Sequence, residues 1–161
     1  MKLHSGNLPP IVILIALGIY CIGCSEKNPA PDSVEKVQLA KLSNTWTVSS
    51  VTLDNTSKVA DFTNFKLTLA GTFNEATPRG PYQYAVAGSR PSNNPWPPTG
   101  GTWSFGANPS DDLVRHDNPD LTINYTVSNT QLILIFTYLG DGFAGGRKSQ
   151  VSGNWVFTFT K

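Results

Sequence analysis

From residue 44 to the C-terminus, apolar and polar side chains alternate with a period of two, and turn-forming residues break the alternation at short intervals. That period marks half-buried β-strands. It predicts eight strands, at 45–54, 65–70, 82–87, 102–106, 112–116, 121–127, 131–138 and 153–160. Ser128-Asn129 reads as a two-residue hairpin loop, and Asp-Asn-Pro-Asp at 117–120 as a further turn. One face carries Trp46, Val48, Phe65, Leu67, Leu69, Tyr82, Tyr84, Val86, Trp103 and Phe105, and later Leu121, Ile123, Tyr125, Val127, Leu132, Leu134, Phe136, Trp155, Phe157 and Phe159. The other face is largely Thr, Ser, Asn, Gln and Lys. One dry and one wet face suits an antiparallel sheet curled on itself. Eight strands joined in order therefore predict an all-β, eight-stranded antiparallel up-and-down barrel, with the last strand pairing with the first to remove both edges. The many inward rings predict a mostly filled interior, with at most a shallow pocket at one mouth.

Ahead of the strands, Asp32 or Ser33 is placed to cap a short helix over 33–42, with Glu35 three residues after Asp32 as in a capping box. Val34, Val37 and Leu42 give it a thin apolar stripe. Within 131–139, Ile133, Ile135 and Leu139 make the outer face apolar as well, and the helix is expected to cover them. Residues 25–32, with two prolines among polar neighbours, read as an extended tether.

The N-terminus has a different pattern. Lys2 and His4 form a weakly basic start, Pro9-Pro10 follows, and 11–22 is an uninterrupted apolar run. Twelve helical residues rise about 18 Å, well short of the ~20 residues that cross a bilayer core, so the run predicts a signal-peptide segment. It ends Cys21-Ile22-Gly23-Cys24-Ser25, which resembles the lipobox of bacterial lipoproteins through the small Gly23 and the following Cys24. The resemblance implies cleavage before Cys24, a diacylglyceryl group on its thiol and a further acyl chain, such as palmitate, on the freed amine. Two or three chains anchor stably where one does not, since each buried methylene contributes ~0.8 kcal/mol. The expected organisation is a lipoprotein signal peptide at 1–23, a lipid-anchored tether at 24–32 and the helix plus barrel at 33–161. The expected location is the cell envelope, at the outer membrane, on its periplasmic or surface side. Ser25-Glu26-Lys27 after the cysteine resembles the surface-export signal of Bacteroidetes lipoproteins.

Leu42 and Trp46 in the opening strand region, a Pro-Trp-Pro loop leading into Gly101-Thr-Trp-Ser-Phe105, and the closing Gly153-Asn-Trp-Val-Phe-Thr-Phe159 resemble the lipocalin-like domains of Bacteroidetes lipoproteins over roughly 40–161. The resemblance implies a small lipocalin-like barrel. It implies no particular ligand.

Composition narrows the function. Lys plus Arg number 12 and Asp plus Glu 11, and Lys2 falls in the leader, so the mature chain is near neutral. A basic field for nucleic acid is missing. With Cys24 acylated and Cys21 removed, the mature domain keeps no thiol for a disulfide or for cysteine catalysis. His116 is then its one histidine. A serine triad would nominally use it with Asp112 or Asp117, but no Gly-x-Ser-x-Gly surrounds any serine, so no catalytic residue is assigned. One histidine does not make a zinc site. Asp111, Asp112, Asp117 and Asp120 read as solvated turn carboxylates, and no metal or cofactor is expected.

Candidate contacts lie in two loops. The segment 88–101 is long for a hairpin connection and stiffened by prolines. It either displays Trp96, with Arg90, Asn93 and Asn94, to a sugar or partner, or folds Trp96 back as a plug in one barrel end. The glycine-rich 140–148 segment either closes Phe143 and Arg147 over a pocket or is a mobile surface loop. The expected partners are the membrane, through the acyl chains, and a small hydrophobic ligand or an envelope protein.

Overall fold

Ser33 starts the helix. Its Oγ accepts from the Lys36 backbone N–H at 3.3 Å, and α1 runs Val34–Leu42. The computed structural model describes residues 30–143 and 151–161; Cys24, the leader, most of the tether and Arg147 lie outside the described residues. Leu39 and Leu42, three residues apart on one helical face, are the buried pair. Of the expected stripe, Leu42 is buried, whereas Val34 is 48% and Val37 40% exposed and Leu39 takes their place. The Trp46 indole donates to Leu42 O at 2.9 Å, which ties the end of the helix to the first strand. A Cβ on Gly71 would stand 2.5 Å from the Tyr82 ring and 3.0 Å from Leu39 Cδ1, so glycine is needed where the chain passes the helix. Arg79 and Glu35 face each other nearby at 3.6 Å.

The strands are β1 Asn44–Leu53, β2 Thr56–Ser57, β3 Lys66–Ala70, β4 Tyr82–Ala87, β5 Gly100–Phe105, β6 Asp112–Arg115, β7 Leu121–Val127, β8 Gln131–Tyr138 and β9 Gly153–Thr160. All neighbours are antiparallel, and β1 pairs with both β3 and β9, so β1 and β3 through β9 close an eight-stranded up-and-down barrel. The expected all-β, lipocalin-like strand order is therefore present. β2 was not foreseen. It folds back on the end of β1 through Asp54 and Asn55, whose φ values of 47° and 65° are those of a tight two-residue hairpin turn.

Two local corrections concern register. The β1–β9 pairing shifts between Val48 and Ser50, a bulge, and the inward set becomes Trp46, Val51 and Leu53 while Val48 is only partly buried. The extra residue flips the parity of everything after it. At the β7–β8 hairpin, Val127 pairs with Leu132 and Ser128 N donates to Gln131 O at 2.8 Å, so the tip is Asn129-Thr130.

The barrel axis is filled by rings. Phe157 stacks on Phe136 at 5.9 Å, Trp155 at 5.5 Å and Phe159 at 6.0 Å, and Phe65 lies 6.1 Å away. A short 3₁₀ turn, Val59–Phe62, delivers Phe62 edge-on to Phe157 at 5.2 Å. Such pairs contribute about 0.5–1.5 kcal/mol each beyond simple burial. The helix closes one barrel end and does not reach the outer face of β8. Ile135 stays 48% and Leu139 73% exposed, so the expected cover over Ile133, Ile135 and Leu139 is absent. The reason is geometric: α1 leads directly into β1 and spends its apolar pair on the barrel end.

Candidate functional site

The up-and-down order brings the β1–β3, β4–β5, β6–β7 and β8–β9 connections to the barrel end opposite α1. Residues 88–99 connect β4 to β5, and their polar contacts are largely internal. Asn94 Nδ2 donates to Pro91 O at 2.7 Å, and Asn94 Oδ1 accepts from Trp96 N at 2.9 Å, an Asx-type turn. Arg90 Nη2 donates to Pro97 O at 3.2 Å and also to Pro98 O, and its guanidinium lies 5.9 Å from the Phe65 ring. The result turns Trp96 inward. Its ring is 2% exposed and lies 5.7 Å from Phe65, 5.5 Å from Phe157, 6.0 Å from Phe136 and 6.4 Å from Tyr84. Of the two expected placements for Trp96, the inward plug is the one found.

Beneath the plug is a buried charge that is not among the candidate residues read from the sequence. Arg115, the last residue of β6, is 1% exposed, and its guanidinium carbon lies 4.7 Å from the Trp96 ring centroid. Arg115 Nε donates to Asp117 Oδ2 at 2.6 Å, and Nη2 donates to Pro95 O at 2.7 Å. Asp117 also accepts from the Tyr84 hydroxyl at 3.2 Å. Burial holds the Tyr84 phenol well above its ordinary pKa; the Arg115 charge opposes this and Asp117 adds to it. Burial likewise raises Tyr138, again against the pull of Arg115. Two buried donors in this cluster lack an acceptor among the described residues, Arg115 Nη1 and Trp96 Nε1. Leaving a buried donor unmatched costs about 1–3 kcal/mol, more for a charged group. Alternation held the clue: Leu113 and Arg115 share the inward parity of a four-residue strand.

Among the other sequence candidates, Asn94 is 4% exposed and structural, and Arg90 folds onto its own loop. Asn93 packs against the 139–143 segment, where Gly142 has φ +79° and an added Cβ would stand 2.1 Å from Asn93 Oδ1. Phe143 is 39% exposed. It borders two clefts at this end. One, of about 570 Å³, runs between Asp117–Leu121 and Thr137–Phe143. The other, of about 410 Å³, is lined by Arg90, Asn94, Pro98, Phe143 and one side of Trp96.

His116 has defined partners. Its Nε2 is 2.9 Å from Ser104 Oγ and its Nδ1 3.1 Å from Asp120 Oδ2, whereas the sequence pointed to Asp112 or Asp117 as the carboxylate. Asp112 instead accepts from Asn124 Nδ2, and Asp117 from Arg115. Ser104 alternates with the buried Trp103 and Phe105 and so lies on the outer wall, and neither it nor His116 lines the two clefts. Acyl transfer needs oxyanion donors and a bound substrate besides such a trio. No group of three or more His, Cys, Asp or Glu side chains suited to a metal occurs among the described residues.

No protein-family model, no curated protein and no solved structure matches this chain.

Proposed function

We propose that this chain is a cell-envelope lipoprotein of the Bacteroidetes lipocalin-like kind, anchored by acyl chains on Cys24 to the outer membrane. Its barrel acts there as a non-enzymatic binding or accessory module. The observation that carries the reading is the division of the barrel into two unlike ends. The chain enters at the end sealed by α1, while the clefts beside Phe143 open at the opposite, loop-bearing end. The end away from α1 is the one that offers room for a ligand. The ring-filled axis supports contact at the mouth over a large interior cargo. The ligand is a small, partly apolar molecule or an envelope protein.

A second reading is favoured by the outer face of β8. Ile135 and Leu139 are exposed beside Val156, the cross-strand neighbour of Ile135, as in a surface that docks onto a larger assembly. The two separate experimentally. Affinity capture from solubilised envelopes yields a stoichiometric protein under docking, and native mass spectrometry of the purified chain yields a bound small molecule under carriage. The anchor is tested with a Cys24→Ala precursor, which is expected to take up no radioactive palmitate and to remain uncleaved. Normal labelling of that variant refutes lipidation at Cys24.

A further inference from the structure

The plug and the cation beneath it fit poorly with a merely structural role. Arg115 is deeply buried, is balanced by Asp117, and still has Nη1 without an acceptor among the described residues; the Trp96 indole N–H is in the same position. The large majority of buried side-chain donors in native structures are matched, and each exception calls for an explanation. Phe65, Phe136 and Phe157 surround the indole that covers this guanidinium, and the Tyr84 hydroxyl shares its Asp117 partner. A group that supplies a negative oxygen to Arg115 Nη1 and a flat apolar body to those rings satisfies both. Trp96 supplies only the second.

The plug is also braced within itself. Bonds from Arg90, from Asn94 and to the Asn94 carboxamide close the 88–99 loop on itself. The barrel wall reaches it through the hydrogen bond from Arg115 to Pro95 O, backbone pairs hold its ends, Ser89 N to Thr63 O and Val86 N to Thr99 O, and Asn93 packs against the 139–143 segment. The cleft of about 410 Å³ already reaches one side of the Trp96 ring from outside.

We infer that Trp96 is a displaceable stand-in for a ligand, and that the barrel mouth takes an aromatic or similarly compact apolar monocarboxylate whose carboxylate pairs with Arg115. This deepens the binding-module reading and rests on it. Arg115 then exchanges its contact to Pro95 O for the carboxylate, and the ligand body replaces the indole between Phe65, Phe136 and Phe157. Because the open state is minor in the free protein, the plug lowers apparent affinity by the open fraction.

The test is isothermal titration of the full chain in maltoside micelles with 3-phenylpropionate and, as its uncharged match, 3-phenylpropionamide. The acid is expected to bind, and the amide to bind weaker by about tenfold or more. Trp96→Ala is expected to tighten the acid by about tenfold or more, since no indole has to leave. Trp96→Leu gives the same ordering if the alanine variant does not fold. The R115Q/D117N double variant, which leaves no unpaired charge, is expected to lose the preference for acid over amide. Equal binding of acid and amide, no binding to any variant, or no gain on shortening Trp96 overturns the inference. Binding that persists in R115Q/D117N with its acid preference and disappears in Phe143→Asp also overturns it, while leaving the module reading with the outer cleft as its site.

Discussion

The guanidinium of Arg115 lies face-on to the Trp96 indole, 4.7 Å from its centroid, while another of its nitrogens holds the Pro95 carbonyl one residue away. One side chain therefore grips the plug by its ring and by its backbone. Neither element makes sense alone. The arginine has its charge matched by Asp117 and its upper surface covered by Trp96, and the indole has a cation where a barrel mouth would otherwise be open.

Truncating the plug tests its share of stability. Trp96→Ala is expected to lower unfolding free energy by about 3–5 kcal/mol, the usual range for removing a buried aromatic. Far-UV circular dichroism is expected to stay barrel-like, because Trp96 belongs to a loop and not to a strand. Urea titration followed at both near- and far-UV wavelengths gives the two readings together. A change below about 0.5 kcal/mol, the level of a surface substitution, contradicts the packing described.

The buried ion pair predicts a characteristic asymmetry. Asp117→Ala leaves Arg115 charged and unpaired inside the mouth, at a cost of about 3–5 kcal/mol. Replacing both partners, as R115M/D117A, is expected to recover much of that loss, since an apolar pair carries no desolvation penalty. Chemical denaturation of the two single variants and the double variant closes the cycle, and additive effects contradict the pairing.

Alkaline pH probes the buried phenols. Tyr84 and Tyr125 are both raised above their ordinary value of 10.0, in each case chiefly by burial. The folded state then keeps protons that the unfolded chain releases, so their contribution is fully present below pH 10 and declines as pH rises beyond it. Ultraviolet difference absorbance is expected to show these phenolates appearing only together with unfolding. Tyr84→Phe, which removes one such group, is expected to flatten the decline. Phenolate formation near pH 10 in a folded protein contradicts the burial.

The outer face of β8 separates stability from contact. Ile135→Thr and Leu139→Asn are expected to change unfolding free energy by less than about 1 kcal/mol, because Ile135 is about half and Leu139 largely in water. Under the docking alternative, the same pair of changes removes the captured envelope protein. Capture that is unaffected argues against this face as the contact.

Much of the fold was legible because its dominant signal has a period of two. Every strand expected from alternation is present, and the inward rings from Phe65 to Phe159 point where alternation placed them. What escaped depends on single residues that the period does not encode. The bulge after Val48 inserts one residue and moves Val51 and Leu53 inside. The helix buries Leu39 where a stripe through Val34 and Val37 was expected, because its orientation is fixed by the barrel end and by the Trp46 bond to Leu42. The inward turn of Trp96 was one of two readings, and the Asx turn at Asn94 decides it. Arg115 shares the inward parity of Leu113, but a charged side chain is ordinarily placed on the wet face, so its type outweighed its position in the strand. The Ser104–His116–Asp120 trio joins β5 to the turn after β6, a contact no spacing in the chain announces.

A plugged mouth in solution is the central property of this barrel. Acrylamide quenching of tryptophan emission, compared between the unaltered chain and Trp96→Phe, reads this directly, since Trp46, Trp103 and Trp155 are also buried. The quenchable fraction is expected to be small and the same in both proteins. A large accessible fraction that vanishes in Trp96→Phe places the indole in water and contradicts the plugged barrel.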